Sequence, residues 1–243
     1  MLEGPDLVHA ALDALSEFEA IYVDPTGLSS SDLAALESRA TSKGIRLFAL
    51  APGVLERVAD ASTPQPVLAA IRLPLVNLGD VACTGLVLVL HDIKDPGNAG
   101  TLVRSADAAG ATGVIFTGHS VDPFNPKTLR ATAGSIFHIP VAVGSLVATL
   151  SSLRERGATT LASVVRGGVS HRSVDYAKPT VVVIGNEADG LDDEAVRLCD
   201  GSITIEMAGA SESLNAGVAG SLIAFEALWQ RQDTMTPPPT PSL

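Results

Sequence analysis

A chain of 243 residues with 46% hydrophobic and only 18% charged residues can bury a substantial core in one large or two small domains, which excludes an intrinsically disordered protein. The formal net charge of −11 excludes a general nucleic-acid binder acting through a broadly basic surface, so any nucleic acid must meet a small local basic patch. Cys83 and Cys199 are the only cysteines, have no metal-ligand spacing and are expected as reduced structural thiols, with no metal site.

Met1 to Pro5 shows no basic region followed by an apolar stretch, and runs such as Gly85 to Leu90 and Thr180 to Gly185 are too short to span a bilayer. Neither a signal peptide nor membrane contact is expected, and the cytoplasm is the expected location. Asp6 to Leu15 carries apolar residues at helical spacing and precedes a strand over Ala20 to Val23. The Ser29-Ser30-Ser31-Asp32 cluster caps a helix over Ser31 to Ser42, which Gly44 ends. A strand over Ile45 to Leu50, a short helix from Pro52 to Val58 and a strand over Val67 to Ile71, after the Pro64-Gln65-Pro66 turn, complete a small α/β unit over residues 1–73.

Residues 74–84, with Pro74 and Gly79, are expected to link this unit to a regular α/β repeat over residues 85–232. Strands are predicted at Leu86 to His91, Val114 to Thr117, Val141, Thr160 to Val165, Val181 to Gly185 and Ser202 to Ile205. Helices are predicted at Asn98 to Gly110, Lys127 to Ala133, Ser145 to Arg156, Asp192 to Cys199 and Ala216 to Gln230. Short, fully apolar strands separated by helices indicate an α/β fold with a mostly parallel sheet covered on both faces. The segment Pro237-Pro238-Pro239-Thr240-Pro241, within residues 233–243, is predicted as a disordered Pro-rich tail.

Ligands in open α/β sheets sit beyond the C-terminal strand ends, and three loops there could carry chemistry. The first runs from His91 through Asp95-Pro96-Gly97-Asn98-Ala99-Gly100 into the helix that holds Arg104, with Asn98 as the expected helix cap. Asn98 and Arg104 could together present an amide and a guanidinium to a phosphate or ribose. The second, Ile184-Gly185-Asn186-Glu187-Ala188-Asp189-Gly190-Leu191, lets backbone approach a ligand, while its two carboxylates would repel a pyrophosphate and suit a neutral or cationic ligand. The third, Ile205 to Ser221, crowds Ala216, Gly217, Ala219, Gly220 and Ser221 at the start of the last helix, where small residues permit close packing. His138 and His171 are expected as ordinary polar residues and His91 as strand-end packing.

Each loop alone is a weak signal; the ordered set resembles the SpoU/TrmH family of the knotted methyltransferase class. The matching stretches are Asp95 to Gly100 with Arg104 to Gly110, Ile184 to Leu191, and Glu212-Ser213-Leu214-Asn215-Ala216-Gly217-Val218-Ala219. Phe124 to Lys127 and Arg130 to Ser135 look like a segment of two-domain ribosomal-RNA members. Glu3-Gly4-Pro5 and Thr63 to Ala69 are similar to the family's ribosomal-protein-like substrate-binding domain, although many such members carry a basic segment before that first element.

The resemblance implies a C-terminal domain with a deep trefoil knot, S-adenosylmethionine as cofactor, a homodimer, and methyl transfer to a ribose 2′-hydroxyl of RNA, ribosomal RNA ahead of transfer RNA. By position it assigns Asn98, Arg104, Glu187, Ser213 and Asn215 to the active site. Gly185, Asn186, Gly190, Ile205, Met207, Ser213 and Leu214 fall where the cofactor is contacted. Arg104, whose guanidinium stays charged, would bind the adjacent phosphate and stabilise the developing alkoxide, or accept the proton as family proposals hold. Asn98 would orient Arg104 or the ribose, and Glu187 would fix a loop. Lys127 and Arg130 are the RNA-binding candidates, within a patch that could also draw on Arg46, Arg72, Arg166 and Arg172. A cofactor-binding protein without catalysis has no need of Asn98, Arg104 and Asn215 together, and a Rossmann-type oxidoreductase lacks its glycine fingerprint here.

Overall fold

Two sheets of different character organise the chain in the computed structural model, which describes residues 1–58 and 64–235. Thr63 and residues 236–243 of the predicted Pro-rich tail lie outside the described residues, while residues 233–235, expected in that tail, continue the last helix. The first sheet is built from β1 (Leu2–Glu3), β2 (Phe18–Val23), β3 (Leu47–Ala49) and β4 (Val67–Ile71), with α1 (Pro5–Asp13), α2 (Ser30–Ser42) and α3 (Leu55–Val58) between them. The strand order is β1-β4-β2-β3; β4 runs antiparallel to both β1 and β2, and β2 is parallel to β3. Ser29 caps α2, its Oγ accepting from the Asp32 amide at 3.1 Å. Along β2, Ile21 and Val23 are buried and Tyr22 between them points to the other face, as period-two alternation requires. β1 escapes periodicity because two residues cannot display one; pairing with β4 creates it.

The second sheet is wholly parallel. Its strands are β5 (Leu86–His91), β6 (Gly113–Thr117), β7 (Val141–Gly144), β8 (Thr159–Ser163), β9 (Val169–Ser170), β10 (Thr180–Ile184) and β11 (Gly201–Thr204), and β9 was not foreseen. They are ordered β7-β6-β5-β10-β8-β11-β9. The helices are α4 (Pro96–Ala108), α5 (Pro126–Thr132), α6 (Leu146–Glu155), α7 (Asp193–Leu198) and α8 (Ala216–Met235). Leu86, Leu88 and Leu90 of β5 face a core with Leu102 of α4 and Ile223 of α8, while Val87 and Val89 face a second core with Leu150, Leu153 and Ala195. Burial on both faces explains why these strands are apolar throughout. The late strand β10 fills the gap between β5 and β8, so the loops after β5, β8, β10 and β11 gather at one end of the sheet.

Residues 74–84 pack on the sheet: Leu75 bridges to Val141, Val81 is fully buried, and the Arg156 guanidinium donates to the Val81 carbonyl at 2.7 Å. The first unit meets α5, where Arg130 lies 3.8 Å from Glu3. At the opposite end of the large sheet, Asp200 accepts from the Thr160 amide and hydroxyl at 2.8 and 2.7 Å and from Arg154 at 2.9 Å. Partial burial pushes the Asp200 carboxyl up, but the hydrogen bonds from Thr160 and the charge of Arg154 outweigh it and hold the group below the ordinary carboxylate range. Both cysteines are free thiols, and burial together with Asp200 pushes Cys199 up to about 11, which suits an unreactive structural thiol.

Helices α4 and α5 touch backbone to backbone at Gly100. A Cβ there would stand 2.3 Å from the Ala131 Cβ and 2.9 Å from the Thr128 carbonyl oxygen, neither of which can rotate away. Gly100→Ala should therefore separate the two helices and cost roughly 1–3 kcal/mol, the usual penalty of overpacking. Urea unfolding measures it; an unchanged midpoint would show that the contact yields without strain.

Candidate functional site

The site is assembled from the three loops at the gathered strand ends. After β10 the chain folds back on itself: Asn186 and Gly190 exchange two backbone hydrogen bonds of 3.0 Å, with Gly190 at φ +72°. Gly185 lies so close beneath that turn that a Cβ would come within 2.5 Å of the Gly190 carbonyl carbon, so only glycine closes the loop. Asn186 fastens the loop twice, its Oδ1 accepting from the Ala188 amide at 2.8 Å and its Nδ2 donating to the Asp92 carbonyl at 3.1 Å.

Asn98 is not the cap of α4. Pro96 starts the helix earlier, and Asp95 caps it by accepting the Asn98 amide at 2.7 Å. The Asn98 side chain, no longer needed at the helix end, bridges the other two loops. Its Nδ2 donates to Glu187 Oε1 at 3.0 Å, and its Oδ1 accepts from Asn215 Nδ2 at 2.9 Å. Glu187 also accepts from the Asp95 and Lys94 amides at 3.2 and 3.4 Å. Asn215 in turn caps α8, its Oδ1 accepting from the Val218 amide at 3.2 Å. Residues 98, 187 and 215, far apart in sequence, thus form one hydrogen-bonded relay.

Arg104 stands apart from that relay. Six residues along a helix place it roughly 120° around the axis from Asn98 and about 9 Å further on, so the two side chains do not meet. Its guanidinium is exposed and makes no hydrogen bond or ion pair among the described residues. The expectation that Asn98 orients Arg104 is replaced by an Asn98 held between Glu187 and Asn215.

A cleft of about 160 Å³ lies beside the relay and meets it at Glu187. Gly185, Asn186, Gly190, Ile205, Met207, Ser213 and Leu214 all line it, together with Glu187. Ile184, Ile205 and Leu214 give it apolar walls, while the carboxylates of Glu187, Asp189 and Glu212 border it, an arrangement suited to a ligand with an apolar body and a positive charge. Sequence reasoning missed Ser163, Val164 and Val165, which line the cleft from the end of β8. Their one signal was position, at the C-terminal end of a parallel strand.

Of the basic candidates, Lys127 is exposed near the start of α5, whereas Arg130 faces Glu3 and Arg72 pairs with Glu17 at 3.2 Å. His91 Nδ1 lies 2.9 Å from the Thr117 hydroxyl at the strand ends, and His138 and His171 lie 3.5 and 3.6 Å from Asp107 and Glu206. Among the described residues no group of three or more His, Cys, Asp or Glu could hold a metal ion, and no helix is long and apolar enough to cross a membrane.

Comparison with known proteins follows the same loops. Residues 85–225 match the model of the SpoU rRNA Methylase family. The chain is 30% identical over 225 residues to the 23S rRNA (guanosine(2553)-2′-O)-methyltransferase RlmP of Bacillus subtilis, covering 93% of this chain and 86% of that protein. It is 36% identical over 193 residues to the 23S rRNA (uridine(2479)-2′-O)-methyltransferase of Streptomyces viridochromogenes, covering 76% and 67%. An AdoMet-bound rRNA methyltransferase from Sinorhizobium meliloti superposes with a TM-score of 0.81 at 32% identity, covering 93% of this chain and 85% of that one.

Glu187 accepts from two backbone amides of the first loop as well as from Asn98, so Glu187→Ala should speed hydrogen exchange at Lys94 and Asp95 by about tenfold, the equivalent of one hydrogen bond to a charged group. Glu187→Gln, which keeps one acceptor oxygen, should fall between. Unchanged exchange in the alanine variant would show that the loop holds its shape without the relay.

Proposed function

The chain belongs to the SpoU rRNA Methylase family, and from that membership we infer that it methylates a ribose 2′-hydroxyl of ribosomal RNA with S-adenosylmethionine as methyl donor. The observation that carries this reading is the cleft at the gathered strand ends, whose lining joins apolar walls to carboxylates and whose Glu187 is hydrogen-bonded to Asn98 and through it to Asn215. The residues present fit the donor. Gly185 and Gly190 bring backbone to the cleft, Ile205, Met207 and Leu214 offer apolar contact, and Glu187, Asp189 and Glu212 place negative charge beside a cationic sulfonium. When bound, S-adenosylmethionine supplies a methyl group that an oxygen nucleophile can take directly, without a metal.

In this reading the chain's own groups position and stabilise the nucleophile. A ribose hydroxyl is a weak nucleophile at neutral pH, so alignment and stabilisation of developing negative charge supply much of the rate. Arg104, with no internal partner to neutralise it, binds the phosphate next to the target ribose and stabilises the oxygen as its proton passes to solvent water. Asn98 and Asn215 hold the first and third loops in register, and Glu187 fixes the first loop beside the cleft. Ser213 faces the cleft beside Leu214 and completes the substrate edge. The reading also includes the trefoil knot: β10 fills the gap between β5 and β8, and the segments after β8, β10 and β11 border one cleft. It takes the first unit as the substrate-binding domain, with Lys127 near its junction, and ribosomal RNA as substrate places the working protein in the cytoplasm.

A homodimer belongs to the same proposal. Val218, Leu222 and Trp229, with Phe225 between them, stand at helical spacing on α8, and Leu222 and Trp229 are 41% and 53% exposed. This apolar stripe lies on the helix that Asn215 caps and that packs against α4, which carries Arg104. A second copy covering it would bring another protomer to the exposed guanidinium and complete the substrate site.

Arg104→Ala should lower methyl incorporation from labelled S-adenosylmethionine into unmodified ribosomal RNA by roughly a hundredfold or more, as loss of a transition-state donor does. Cofactor affinity by calorimetry should stay unchanged; an equal loss of both would assign Arg104 a structural role. Leu222→Asp should convert the dimer to a monomer in sedimentation and lower activity with it. A wild-type monomer that is fully active would overturn the dimer.

A further inference from the structure

The first sheet carries a feature that the methyl-transfer site does not use. Tyr22 on β2 and Phe48 on β3 are register partners, with ring centroids 5.6 Å apart and planes inclined by 22°. The Arg46 guanidinium carbon lies 5.8 Å from the centre of the Phe48 ring. Phe48 is 44% exposed, and Tyr22 is half-buried and opposite in direction to the buried Ile21 and Val23. Arg46 makes no ion pair among the described residues, so its charge faces solvent. Phe48 lies on the edge strand β3 and Tyr22 on its inner neighbour β2, and the exposed ring and the guanidinium beside it add nothing to the core around Ile21 and Val23 on the opposite face.

We propose that Tyr22, Phe48 and Arg46 form a stacking platform for an unpaired nucleobase of the RNA substrate. Aromatic rings and the guanidinium plane offer faces on which any base can stack, and Arg46 adds a positive charge for the adjoining phosphate. The platform rests on the reading of the chain as an RNA methyltransferase and adds where its first unit grips the RNA. It also accounts for binding by a chain of net charge −11. Stacking on rings needs few phosphate contacts, so affinity depends less on counterion release than it does for a basic surface.

The test is titration of the full chain with short labelled RNA oligonucleotides, single-stranded and duplex, beside methyl incorporation into ribosomal RNA. Phe48→Leu and Tyr22→Leu keep apolar bulk but remove the π-face, and each should weaken single-strand binding by about tenfold while leaving duplex binding unchanged. Phe48→Trp should restore affinity. Ultraviolet cross-linking of 4-thiouridine RNA should label the peptides that hold Tyr22 and Phe48. Unchanged single-strand affinity in the double leucine variant, or lowered thermal stability as its only effect, would overturn the platform. If that variant also methylates ribosomal RNA with an unchanged KM, the platform falls and the methyltransferase stands. If wild-type protein fails to methylate ribosomal RNA but binds single strands in a Phe48-dependent way, the methyltransferase reading falls and the platform stands.

Discussion

The carboxamide of Asn98 carries one donor and one acceptor outward from a helix, and the site depends on both being used. Its donor side is taken by Glu187 from the loop after β10, and its acceptor side by Asn215 at the head of α8. Each hydrogen bond contributes only about 1 kcal/mol net where water can compete, and somewhat more where a carboxylate takes part. Their value lies in geometry: a planar amide fixes the direction of two loops that otherwise share no backbone pairing. Aspartate at position 98 would have no donor for Glu187 and would set two negative charges against each other.

The same relay explains why the helix start lies where it does. Asp95 and Pro96 end the first loop abruptly, which leaves Asn98 in the first turn of α4 with its backbone amide satisfied and its side chain available. Gly185 does the corresponding work in the second loop, where the backbone returns so closely that no side chain fits. Small residues in the two remaining crossings, Gly100 against Ala131 and Gly220 against Leu102, let α4 approach α5 and α8. Close packing and site geometry are therefore one problem, since α4 positions both Asn98 and Arg104.

Charge is distributed to match. Carboxylates border the cleft, where a cationic ligand would be stabilised, while Arg104 and Arg46 are left without carboxylate partners on surfaces a polyanion could reach. Some other cations are occupied: Arg130 faces Glu3, Arg154 holds Asp200, and Arg156 holds the 74–84 segment through backbone carbonyls. An acidic chain can meet RNA through a few placed cations because the local field, and not the total charge, acts over the screening length of about 8–10 Å.

The sequence by itself determined the class of fold and the order of its parts. Runs such as Leu86 to His91 and Val181 to Gly185 announce parallel strands because burial on both faces leaves no room for polar alternation. Each of the three loops was a weak signal alone, and they were legible as a set because in that order they resemble the motifs of the SpoU/TrmH family. Tertiary structure decided what local patterns cannot carry. Position 98 looks like a cap until Pro96 is seen to start the helix earlier, and only the folded chain sets its amide between residues 187 and 215. Ser163 to Val165 became part of the cleft because β8 lies beside β10, an adjacency created by a late strand entering between earlier ones. Tyr22 and Phe48 became one surface in the same way, through the register of two strands separated by a helix. Sequence encodes periodicity and turn chemistry over a few residues; strand order and register are set by global packing, and the site is made of those.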